Sequence, residues 1–113
     1  MELLMYFGDV PLVTASVLPN DNKLPRNKSQ EVYDFVVSEL KACGAGLPKE
    51  YVNAEAWRIS SGASWALLSR LALYFKDYNL AKEATAEVIN SGAYKLYKST
   101  NATANSFAEL FKY

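Results

Sequence analysis

Between Ala63 and Phe75, apolar residues go nearly all the way round a helical cylinder: Trp65, Leu67, Leu68, Leu71, Leu73, Tyr74 and Phe75, filled in by Ala63, Ala66 and Ala72. A helix lying on the surface of a globular protein shows one apolar stripe, so a helix apolar on every side has to sit centrally, with neighbours around it. Ser64, Ser69 and Arg70 interrupt the run, which falls short of the ~20 apolar residues a bilayer-spanning helix needs. The small serines instead permit close approach of other helices. The spacing predicts a helix over about 62–76, capped by Ser60 or Ser61.

The rest of the chain supplies the neighbours. Val32, Phe35, Val36, Leu40 and Cys43 recur at three- and four-residue steps, with Glu31, Asp34, Ser38 and Lys41 opposite, which predicts a helix over about 29–43. Ser29 or Asn27 is its expected N-cap; Gly44, Gly46 and Pro48 are its expected stop. A further helix is expected over about 78–91, opened by Asp77, whose carboxylate suits the positive end of a helix, and closed by Gly92. Residues 1–7 read as the last turns of a helix. Over 8–28, Pro11, Pro19 and Pro25 remove backbone donors and restrict the residues before them, so a long extended connector is expected there. Ser106-Phe107-Ala108-Glu109 is a capping-box sequence opening a short turn over about 106–111.

Composition narrows the chemistry. The chain has 113 residues, 12 basic and 12 acidic, and no His. Zero net charge argues against a general nucleic-acid binder, which needs excess cations to displace counterions from phosphates. Without His, zinc sites, Ser-His-Asp triads and Cys-His dyads cannot be built from this chain, and no metal, cofactor or catalytic residue is expected. Cys43, the single cysteine, is expected to be a buried inert thiol on the apolar face of its helix. The N-terminal residues lack the basic region of a signal peptide. Charge is mildly split, at −3 over 1–56 and +3 over 57–113, which reads as ordinary solvated faces.

The second and third long helices enclose a motif. Trp65-x-x-Leu68-Ser69, with Ala81 twelve residues on, has the spacing of a tetratricopeptide repeat, in which large residues of one helix pack over small ones of the next. The repeat is divergent, with Ala72, Thr85 and Ala93 where Tyr, Phe and Pro are usual. One repeat cannot bury its own apolar faces and expects stacked neighbours. The expected fold is all-α: an incomplete tetratricopeptide-like hairpin array with a proline-rich connector and little or no strand.

Several strings then resemble one family in order. They are Phe7-Gly8-Asp9-Val10-Pro11-Leu12-Val13-Thr14, Leu24-Pro25-Arg26 leading into Glu31-Val32-Tyr33-Asp34-Phe35-Val36, Arg58-Ile59-Ser60, Ala66 to Tyr74, Val88 to Leu96, and Leu110-Phe111. This series is similar to the SusD/RagB family, glycan-binding lipoproteins on the outer-membrane surface of Bacteroidetes. Trp57 departs from it, standing where Gly usually precedes Arg-Ile. The resemblance implies a single segment of a longer protein, lacking the lipoprotein signal, its acylated cysteine and the C-terminal part that supplies much of the sugar platform. It implies that this segment is mainly scaffold, packed against the TonB-dependent outer-membrane transporter that imports the captured oligosaccharide or polysaccharide. The exposed apolar faces of such a segment would be met by the rest of a parent chain or by self-association.

Candidate ligand contacts are few. Tyr51 and Trp57 are the two residues to test for stacking on a glycan, because an aromatic ring offers a flat apolar face with a polar edge; ordinary packing of a loop on the core is the competing explanation. Trp65, Tyr74 and Phe75 fall at helical spacing and read as core. Glu50 and Glu55 share that loop, but nothing in the sequence sets the ~5–10 Å separation a glycosidase pair requires. The chain is therefore read as a non-enzyme. The alternative to glycan capture is a generic tetratricopeptide module that binds proteins.

Overall fold

A computed structural model describes residues 1–16, 24–49 and 58–94. Four helices follow one another: α1 (Glu2–Phe7), α2 (Ser29–Gly46), α3 (Ser61–Tyr74) and α4 (Tyr78–Asn90). Among the described residues there is no strand, only a single antiparallel bridge between Val10 and Asn27. The helices form a tetratricopeptide-like array in which α3 packs against both α2 and α4.

The apolar circumference of α3 is thereby divided into sectors. Leu68 and Ala72 are fully buried against Leu80 and Ala84 of α4, with Trp65, Val37, Leu40 and Ala81 around them. Leu71 is buried against Leu4, Val32 and Tyr33, which ties in α1 and α2. On the α1 side, Tyr74 donates its phenol O–H to the Met5 carbonyl, and Arg70 meets Glu2 at 3.6 Å. The sector holding Leu67 and Leu73 stays exposed.

The turn from α3 to α4 is a Schellman motif. The amide of Asp77 donates to Ala72 O at 2.9 Å and that of Lys76 to Leu73 O at 3.2 Å, with Lys76 at φ 63. Asp77 then caps α4 by accepting the Leu80 N–H at 3.2 Å. Its other carboxylate oxygen accepts the phenol O–H of buried Tyr33 at 3.3 Å. One side chain thus starts α4 and anchors it to α2.

Three expectations need correction. α2 does not stop at Cys43; it continues through Gly44 to Gly46 and ends only at Leu47, before Pro48. Gly44 lies inside the helix because a ring occupies the place of its side chain, as described below. Cys43 is exposed instead of buried, since the seam between α2 and α3 follows Leu40 to Gly44 and leaves Cys43 one step outside it. Finally, neither Ser29 nor Asn27 caps α2. The N-cap position falls on Lys28, and the carboxylate of Asp9, twenty residues upstream, accepts the Ser29 N–H at 2.8 Å. Asn27 instead joins the two ends of the connector: its amide N–H donates to Val10 O at 3.1 Å, and its side-chain oxygen accepts the Leu12 N–H at 3.0 Å.

Candidate functional site

α2 ends, α3 begins and α4 ends at the same pole of the array, and the sequence places small residues there. Gly44 faces Trp65 so closely that a β-carbon on Gly44 would lie 2.5 Å from Trp65 Cε2 and 2.7 Å from Nε1. The Ser61 hydroxyl, itself buried, donates to the Gly44 carbonyl at 2.5 Å. Gly62 makes room for a second ring, since a β-carbon there would overlap the Tyr94 ring at Cε2. The Tyr94 phenol is hydrogen-bonded to the Ser60 hydroxyl and lies 3.2 Å from the Lys49 carbonyl oxygen, to which it can donate. Two rings laid on two glycines therefore fasten this pole.

Beside these rings lies a small cleft of about 130 Å³, lined by Lys49, Ser61, Gly62, Trp65, Glu87, Asn90 and Ser91. An ammonium, a carboxylate, an amide and a hydroxyl surround the indole, a donor and acceptor set suited to a neutral polyhydroxylated ligand. Its volume is well below the ~300 Å³ at which pockets begin to enclose a drug-sized molecule, so it can take no more than one end of such a ligand. Glu87 is the sole carboxylate among its described lining residues. Among the described residues no group of His, Cys, Asp and Glu is arranged to hold a metal ion. No helix there is long and apolar enough to cross a membrane.

Two larger apolar grooves flank α3. One, of about 630 Å³, runs between α3 and α4 past Leu73, Tyr78, Ala81, Thr85 and Ile89. The other, of about 580 Å³, lies where Leu3 of α1, Phe35 and Leu40 of α2 and Leu67 of α3 converge.

Of the repeat residues, the structure gathers Trp65, Leu68 and Ala81 into one cluster. Ser69 stands apart from it, donating its hydroxyl to the Ala66 carbonyl at 2.9 Å and lining the α3/α4 groove. Trp65 has a double position: half-buried against Gly44, it also walls the cleft. Tyr51, Trp57, Glu50, Glu55 and the turn over 106–111 lie outside the described residues. Sequence reasoning missed Gly44, Gly62 and Tyr94 as a unit. A glycine within an otherwise helical pattern was the available signal for close packing.

The chain is similar in structure to SusD-like proteins. A SusD-like protein of Bacteroides fragilis superimposes with a TM-score of 0.76 at 36% identity, over 84% of this chain and 19% of that one. A SusD superfamily protein of Bacteroides thetaiotaomicron gives a TM-score of 0.66 at 36% identity, over 78% and 19%. A SusD-like carbohydrate-binding protein of Bacteroides fragilis gives 0.76 at 26% identity, over 80% and 18%. The chain thus spans about a fifth of the length of each of these relatives. Neither a family model nor a curated protein sequence matches it.

Proposed function

We propose that this SusD-like chain serves a non-enzymatic glycan-capture protein at the outer-membrane surface, where oligosaccharides are passed to a TonB-dependent transporter. The observation that carries this reading is the likeness to SusD-like structures at 36% identity along most of the chain, one further relative being a carbohydrate-binding protein. Within that function the segment acts mainly as scaffold and as a transporter-facing surface. The small volume of its polar cleft and the much larger apolar grooves between its helices support the division of labour.

Isothermal titration of the chain with a panel of oligosaccharides tests the scaffold role. No saturable heat is expected, and saturable binding that disappears in Trp65→Ala or Glu87→Ala would transfer the glycan site to this segment. Co-purification from outer membranes tests the partner. Recovery of a transporter is expected; recovery of a soluble protein in its place would favour the generic tetratricopeptide reading.

A further inference from the structure

We propose that the groove between α3 and α4 receives a second copy of this chain, which lays on it the face where α1, α2 and α3 converge. Leu73, Tyr78 and Ile89 along the groove are 60%, 63% and 69% exposed, while Ser69, Ala81 and Ala86 give it a floor of small side chains. Such a floor accepts large side chains that project from another helical face. The same chain carries a face of that kind. Leu3, Phe35 and Leu67 are exposed around the second groove, whose volume of about 580 Å³ is close to the 630 Å³ of the first and can in turn admit Leu73 or Ile89.

Charge selects the pairing. Arg70 and Lys82 stand on the α3/α4 groove with no carboxylate among its described lining residues, whereas Glu2 and Glu39 stand on the second groove with no Lys or Arg among its own. Either groove laid on its own copy would bring like charges together. Each laid on the other brings cations to carboxylates, which suppresses the wrong pairings and fixes the register. Arg70 and Glu2 already meet at 3.6 Å within one chain, so Lys82 and Glu39, both exposed, are the charges that report on the contact. A single repeat leaves apolar faces that stacking on another repeat covers, and a second copy supplies that repeat. The contact joins two different surfaces, so it closes as a pair where both contacts form at once and otherwise extends into longer assemblies. The pairing stands whether or not the chain serves glycan capture.

The test is sedimentation velocity of the full chain from ~10 to ~500 μM, the range in which a contact of micromolar Kd is read. The weight-average mass is expected to rise with concentration above the 12.6 kDa of one chain. Lys82→Glu and Glu39→Lys, each alone, are expected to weaken the association at least about fivefold, since each sets like charges across the contact. An equal mixture of the two variants is expected to recover the wild-type association to within about threefold, because the introduced glutamate then meets the introduced lysine. The same recovery is expected with both substitutions in one chain. Ile89→Asp, which puts a charge in the groove and leaves Lys82 and Glu39 in place, is expected to weaken association at least about tenfold. A mass of 12.6 kDa at every concentration, association indifferent to either charge reversal, or a mixture that associates no better than its components would each overturn the proposal.

Discussion

Gly44→Ala is the sharpest test of how the array is held. In an open helix interior, alanine is favoured over glycine by ~1 kcal/mol. At Gly44 that gain is opposed, because the new methyl would sit 2.5–2.9 Å from three atoms of the Trp65 indole, which belong to a ring wedged between helices. Forcing such an overlap typically costs ~1–3 kcal/mol. Gly46, two residues on in the same helix, has nothing within 4 Å of its would-be β-carbon, so Gly46→Ala should stabilise by ~0.5 kcal/mol. Urea unfolding followed by far-ultraviolet circular dichroism should then show Gly44→Ala less stable than Gly46→Ala by ~0.5–2.5 kcal/mol. Repeating Gly44→Ala in a Trp65→Leu background removes the obstacle, and the substitution should turn stabilising by up to ~1 kcal/mol. Equal stabilisation by the two alanines, or an unchanged Gly44 effect without the indole, would refute the packing argument.

Three further outcomes are expected. Lys76→Gly should raise stability by about 1 kcal/mol, seen as a melting temperature several degrees higher, because Lys76 holds a left-handed conformation that disfavours a β-carbon; a lower melting temperature would contradict this. Burial, together with the Asp77 carboxylate that accepts its hydrogen bond, pushes the Tyr33 phenol above its ordinary value of about 10. Because the folded-state value is the raised one, its contribution is complete below about pH 10 and is lost as pH climbs through the folded value. Urea midpoints should therefore fall more steeply above about pH 10 in the wild type than in Tyr33→Phe, and parallel profiles would count against the Tyr33–Asp77 bond. Cys43, being exposed, should react with a maleimide in the folded protein as readily as in urea; protection in the folded state would restore the buried thiol expected from the sequence.

The helices were legible because their apolar periodicity is strong and their boundaries carry caps such as Asp77 and Gly92. Details that depend on a partner's position were not. Leu40, Cys43 and Gly44 all extend the α2 pattern, and choosing between the last two requires knowing that Trp65 lies against the helix at Gly44. Without that, glycine reads as a stop and cysteine as core. The cap on α2 escaped for a similar reason, as Asp9 comes from the far side of a connector whose ends are brought together by Asn27. Local capping rules look only a few residues back. The polar cleft was equally hidden, because its residues come from three helix ends that no sequence spacing relates.

Both poles of the array are fixed by aromatic side chains, and that explains how α3 can be apolar all round without being wholly enclosed. At one pole Trp65 and Tyr94 occupy the space left by Gly44 and Gly62. At the other, the Tyr33 and Phe75 rings meet at a tilt of 36° with centroids 4.7 Å apart, and Tyr33 reaches the carboxylate that starts α4. Between these clamps, Leu68, Leu71 and Ala72 form a fully buried line that fixes the angles of α2 and α4 about α3. The angular order of the helices is then set by interactions along one side of α3. Its remaining side, carrying Leu67 and Leu73, meets α1 only through Tyr74 and Arg70 among the interactions described above, and otherwise lines the two grooves. A repeat made this way keeps its shape while offering apolar flanks, which is what the proposed scaffold role requires.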